Sequence, residues 1–135
     1  MSNYKSEFIK EINSRGFINQ ATDLTAIDKK LLKSKITAYI GFDATSDSLH
    51  VGSLIPLMLL KWFQNYGNKP IALMGGGTTM VGDPSGKDTT RSMLEIKDIK
   101  NNIKSLKKIF NKFIDFKKDK ALMLDNYEWL SKKNY

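Results

Sequence analysis

Three short apolar runs, Ile36 to Phe42, Pro70 to Met74 and Ala121 to Leu124, are separated by two longer stretches whose apolar residues recur at helical spacing. Short β-favouring runs bounded by turn residues suit buried strands of a parallel sheet. Parallel strands cannot be joined by a tight hairpin, so each pair needs a crossover, and the two stretches supply one each. The first, Leu49 through Phe63, carries Leu54, Leu57, Met58, Lys61 and Trp62 on a face that packs on a sheet, and ends near Gly67. In the second, Leu94, Ile99, Ile103, Leu106, Ile109, Phe110 and Phe113 outline a long helix over Met93 to Phe116. The order β, α, β, α, β predicts a parallel sheet with right-handed crossovers.

Ahead of the first strand the chain predicts two amphipathic helices. Tyr4 to Asn13 places Phe8, Ile9 and Ile12 on one face, with Gly16 as a natural stop. Asp23 or Thr25 can cap a second helix carrying Leu24, Ile27, Leu31 and Leu32. The expected organisation is an amino-terminal helical collar over residues 1–34 and an α/β unit over residues 35–135. After the third strand, Tyr127 to Leu130 begins another helix that stops within barely a turn. A three-strand sheet leaves hydrophobic edges, so the expectation is the first half of a Rossmann-like parallel-sheet domain, marginal in isolation.

Composition excludes several chemistries. There is no cysteine, hence no disulfide, thiolate-metal or cysteine-nucleophile chemistry, and a lone histidine, His50, argues against an all-protein zinc site. No metal ligands are assigned. The longest apolar segment, Val51 to Leu60, is far short of the roughly 20 residues that a membrane span needs. The first residues mix charge and apolar side chains, unlike a secretory signal, and a cytoplasmic protein is the default expectation. The formal charge of +8 attracts anions. Much of it lies between Lys97 and Lys120, where nine lysines stand against Asp98, Asp115 and Asp119. A solvated helix face is the commoner meaning of such a run, and a nucleic-acid surface the rarer one.

In an open parallel sheet, ligands bind where the carboxyl ends of strands meet loops and helix amino-termini. Three features fall there: Tyr39, Gly41 and Asp43 ending the first strand, Thr45 to Ser53 opening the next helix, and GGGTTMVGDPSGKDTTR after the second strand. That last segment is too rich in glycine and turn residues for regular structure. Gly41 permits close approach of a nucleotide, and a helix starting near Asp47 would point free amides and a partial positive charge at an anion. His50 and Ser53, three apart, lie on one face of its first turn and can donate to a phosphate. Asp83 could pair with a substrate ammonium or simply open an Asp-Pro turn. Lys87 and Arg91 are spaced to clamp a polyphosphate, or are ordinary solvated charge. GDPSGK lacks the spacer and the following Ser or Thr of a Walker P-loop.

Taken in order, YIGFDATSDSLHVGSL, IALMGGGTTMVGDPSGK and Arg91 at the matching distance resemble the bacterial tyrosyl-tRNA synthetases, a class I aminoacyl-tRNA synthetase family. The resemblance reaches from the collar to DNYEWL. It implies a ligase that activates L-tyrosine with ATP and Mg2+ to tyrosyl-adenylate and transfers the tyrosyl group to tRNA(Tyr), as a homodimer. It also implies that Tyr39, Thr78 and Asp83 bind tyrosine, Tyr39 through the phenolic hydroxyl and Asp83 through the ammonium. Gly41, Asp43, Thr45, His50, Gly52 and Ser53 match the ATP site, with Thr45, His50, Ser53, Lys87 and Arg91 acting on the departing phosphates. The class signature His-Ile-Gly-His stands here as His50, Val51, Gly52 and Ser53, which keeps a donor at the last position and loses imidazole reach. The family's second half, with its Lys-Met-Ser-Lys-Ser type loop and anticodon-binding region, has no counterpart in these residues, so the piece alone is expected to be inactive. The alternatives are a non-catalytic ligand- or RNA-binding form, and another nucleotidyl-transferring enzyme such as tryptophanyl-tRNA synthetase.

Overall fold

The computed structural model of the chain describes residues 4–81 and 96–132. Its elements run α1 (Glu7–Ser14), α2 (Leu24–Lys33), β1 (Thr37–Phe42), α3 (Val51–Asn65), β2 (Lys69–Met74), α4 (Gly76–Val81), α5 (Ile96–Phe110), β3 (Leu122–Asp125) and α6 (Tyr127–Leu130). The three strands form one parallel sheet in the order β1-β2-β3. The mixed α/β architecture expected from the alternating runs is therefore present.

Alternation along the strands decides which residues meet the helices. Phe42 on β1 and Ala72 and Met74 on β2 are buried with Leu57 and Leu60 of α3 and Leu106 and Phe110 of α5. Both crossover helices thus cover the same sheet face, and Phe42 meets Phe110 edge to face at 4.8 Å. The opposite face starts with Tyr39, paired in register with Ile71 and 67% exposed. β1 was expected as a buried strand and is mostly exposed, because it is an outer strand with nothing beside it among the described residues.

The collar packs on the outer side of α3. Phe8, Ile9 and Ile12 bury against Phe63, with Trp62 and Tyr66 alongside. Asp28 of α2 is buried and caps α1 from a distance, accepting from Ser6 N–H (2.8 Å), Ser6 Oγ (2.6 Å) and Lys5 N–H (3.0 Å). The Ser6 hydroxyl, helped by those two amides and by the Lys10 charge, holds the Asp28 carboxyl below its ordinary range against the opposing effect of burial. Ile27 and Leu32, placed on the apolar face of α2 by spacing alone, are 41% and 53% exposed, since this helix docks through Asp28, Leu24 and Leu31. Asp23 caps α2 by accepting from Ala26 N–H.

Two helix boundaries differ from expectation. α3 begins at Val51 with His50 as its N-cap, after an open loop, so the start near Asp47 is corrected. Its buried face is Leu57, Leu60 and Phe63, and Leu54 is 37% exposed. α5 stops at Phe110 instead of Phe116. Gln64 takes over the backbone of Asp115, donating to its C=O (2.7 Å) and accepting from its N–H (2.9 Å), which ends helical pairing there. A single 3-10 turn at Lys117–Asp119, with Lys118 and Asp119 at positive φ, then returns the chain into β3.

Candidate active site

The carboxyl ends of β1 and β2 lie side by side, with Gly41 opposite Leu73 and Phe42 opposite Met74. The pairing continues one step beyond the strands, since Gly75 N–H donates to Phe42 C=O at 2.8 Å. The residues that follow the two strands are thereby brought together. The next residue on β1's side, Asp43, is exposed, and Ala44 after it is wholly buried, with Thr79 and Asn102 bonded to its backbone. Thr45 is exposed and makes no hydrogen bond among the described residues.

His50 and Ser53 meet as the spacing suggested. As N-cap of α3, His50 makes no side-chain cap bond, while its C=O accepts from Ser53 N–H at 2.9 Å. The imidazole folds back over Gly52, where any Cβ would stand 3.0 Å from Cε1 and 3.1 Å from Nδ1. Nε2 then reaches Ser53 Oγ at 3.1 Å. A side chain at Gly52 would therefore push the ring a few tenths of an ångström from its place on the first turn. The helix presents its first amides and positive dipole end beside an imidazole and a hydroxyl, an arrangement that suits a phosphate. Val51 and Ile55, on the same turns, are 82% and 62% exposed.

The glycine segment after β2 was expected to be irregular, and its first part is instead helix α4. The reason lies far along the chain. Asp125 Oδ1, at the end of β3, accepts from Gly76 N–H (3.0 Å) and Tyr127 N–H (3.0 Å), and Asn126 Oδ1 accepts from Gly77 N–H (2.7 Å). Asn126 Nδ2 also donates to Thr78 Oγ1 at 3.2 Å, and that hydroxyl donates to Gly75 C=O at 3.2 Å. The Thr78 side chain is held between the two loops. Asp125, Asn126, Thr79 and Asn102 escaped the residue-by-residue reading, although the Asp-Asn pair directly after an apolar strand was a usable signal. Asp83, Lys87 and Arg91 lie outside the described residues, as does the amino-terminal end of the long helix expected from Met93.

Among the described residues no group of three His, Asp or Glu side chains could hold a metal, and no helix is long and apolar enough to cross a membrane. The site as described offers hydrogen-bond donors, backbone amides and the carboxylate of Asp43.

Comparison with known proteins adds an independent line. The family described as tRNA synthetases class I (W and Y) matches residues 30–135. The chain is 52% identical to a tyrosine–tRNA ligase of Rhodopseudomonas palustris, over 100% of this chain and 33% of that protein. It is 48% identical to a tyrosine–tRNA ligase of Bradyrhizobium diazoefficiens, with the same coverage. Among solved structures, a C-terminally truncated mitochondrial tyrosyl-tRNA synthetase of Coccidioides posadasii superposes with a TM-score of 0.73 at 28% identity, covering 96% of this chain and 38% of that one. The chain therefore spans about a third of the length of the curated relatives it matches.

Proposed function

The chain belongs to the class I tRNA synthetases of the W and Y family, and from that premise we propose that it supplies the nucleotide-binding part of a tyrosine–tRNA ligase. The observation that carries this reading is the amino-terminus of α3, with His50 and Ser53 bonded at 3.1 Å, on the chain that leaves a parallel strand carrying Tyr39 and Gly41 and followed directly by Asp43. In this reading a tyrosine carboxylate oxygen attacks the α-phosphorus of ATP, the bond to the β-phosphate breaks, and pyrophosphate leaves. Magnesium enters with the nucleotide as part of the substrate. No covalent enzyme intermediate is needed, and the catalysis is positioning and charge stabilisation.

Thr45, His50 and Ser53 meet the leaving phosphates, with the α3 dipole favouring the added charge. Gly41 and Gly52 let the nucleotide approach, and Asp43 faces the ribose side. Tyr39, Thr78 and Asp83 hold tyrosine, and Lys87 and Arg91 close over the phosphates. Tyr39 is the specificity group, because a site built to bond the phenolic hydroxyl leaves polar groups unpaired when phenylalanine enters. The tyrosyl group then passes to tRNA(Tyr), and the full-length protein works as a homodimer, with residues 1–34 as its collar and 35–135 as part of its catalytic domain.

A second reading is favoured by α5. Lys97, Lys100, Lys104, Lys107 and Lys108 are exposed, and none is ion-paired among the described residues. In that case the chain binds RNA without catalysis, and binding weakens steeply with salt. The experiment that separates the two is exchange of labelled pyrophosphate into ATP by the full-length protein with tyrosine, tryptophan or phenylalanine. Exchange driven by tyrosine alone is expected. Exchange driven equally by tryptophan, or none at all, overturns the proposal. The 135-residue chain by itself is expected to exchange little.

A further inference from the structure

The loop that leaves β1 packs Leu49 on the core near its end, and its backbone is hydrogen-bonded to other elements at one residue, Ala44. Ala44 is 0% exposed, and its backbone is bonded by two side chains from other elements. Its N–H donates to Thr79 Oγ1 of α4 at 3.3 Å, and its C=O accepts from Asn102 Nδ2 of α5 at 2.9 Å. Those two bonds act on consecutive peptide planes, one shared with Asp43 and the other with Thr45. Beyond the anchor, Thr45 to Ser48 are all exposed, and the side-chain bonds there join only Ser46 to Ser48. Because peptides are planar, fixing both planes fixes where the Asp43 and Thr45 Cα atoms sit, and since Gly75 N–H also bonds Phe42 C=O, Asp43 is held by the planes on both its sides.

We infer that Thr79 and Asn102 are positioning residues that aim Asp43 and Thr45 at the nucleotide and tie α4 and α5 to the phosphate chemistry; this rests on the reading of the β1–α3 loop as the ATP loop. Without the Asn102 amide the buried Ala44 carbonyl has no water to turn to, so the loop must move to satisfy it. Misplacement of that kind by about 1 Å costs on the order of 100-fold in rate. The effect falls on the step in which charge reaches the leaving phosphates, and tyrosine binding at Tyr39 is untouched.

The test uses the full-length protein with Thr79→Val, which keeps shape and loses the hydroxyl, Thr79→Ser, which restores it, and Asn102→Asp, which keeps shape and loses the donor. Hydrogen exchange without nucleotide should quicken over residues 43–48 in Thr79→Val and Asn102→Asp, leave β2 protected, and match wild type in Thr79→Ser. In the tyrosine-dependent exchange of pyrophosphate, the two disruptive variants should lose about 10- to 100-fold in kcat with KM for tyrosine unchanged, and Thr79→Ser should recover most of it. Unchanged hydrogen exchange over 43–48 overturns the anchor. Faster hydrogen exchange with unchanged kcat, or protection lost across β2 as well, overturns the positioning role. A wild-type protein without tyrosine-dependent activity overturns the functional reading instead, and the hydrogen-exchange arm still decides the anchor.

Discussion

Replacing Gly76 by alanine should be far more costly than a single added methyl suggests. A Cβ at this position would stand 2.7 Å from Asp125 Oδ2 and 2.8 Å from its Cγ, closer than real Cβ atoms come. The Asp125 side chain is short, so it can only swing away, and doing so breaks its bonds to Gly76 N–H and Tyr127 N–H. Hydrogen bonds to a charged acceptor contribute about 1.5–3 kcal/mol each, and partial exposure of Asp125 favours the lower figure. Against a loss of about 3 kcal/mol stands a gain of about 0.5–1 from alanine in a helix. The net expectation is destabilisation by about 2–2.5 kcal/mol, read as a lower urea midpoint by far-ultraviolet circular dichroism. Adding Asp125→Ala to Gly76→Ala should cost little more, because the bonds are already lost. Additive costs in the double variant, or a Gly76→Ala protein as stable as wild type, would refute the reasoning.

Leu57→Ala removes a side chain with no exposure from between α3 and the sheet, and should lower stability by about 2–5 kcal/mol in urea unfolding. Asp28 has a depressed folded pKa, so its contribution is complete above the ordinary carboxylate value and is lost as pH falls through the lower folded value. The wild-type melting temperature should therefore drop below about pH 4, and Asp28→Asn should show a flatter dependence there; identical acid profiles would contradict the cap. Tyr39→Phe should narrow the preference for tyrosine over phenylalanine by about tenfold or more in exchange assays, with an unchanged ratio counting against its role.

The parts of the fold visible in the sequence were those set by local pattern. The strand ends were placed to within one residue, and Phe8, Ile9 and Ile12 were placed on the right face of α1, because periodicity and a glycine stop are properties of neighbours. The parts that were not visible depend on partners far away. α4 forms where composition argued for a loop, because Asp125 and Asn126, 49 residues along, satisfy its first amides. α5 ends early because Gln64, 51 residues before Asp115, captures that backbone. The exposure of Ile27 and Leu32 follows from a buried carboxylate, Asp28, that no hydrophobic pattern marks. At the site, the His50–Ser53 pair was legible from spacing on one helical turn. The anchoring of Ala44 was not, since it needs three segments brought together.

In the proposed function the amino-terminus of α3, through His50, stabilises the leaving phosphates in tyrosine activation. The most direct measurement is tyrosine-dependent pyrophosphate exchange by the full-length protein and its His50→Ala variant. In His50→Ala, kcat should fall by about 100-fold or more, with KM for tyrosine within about twofold of wild type. A His50→Ala protein that retains its kcat, or one whose only change is weaker tyrosine binding, would contradict it.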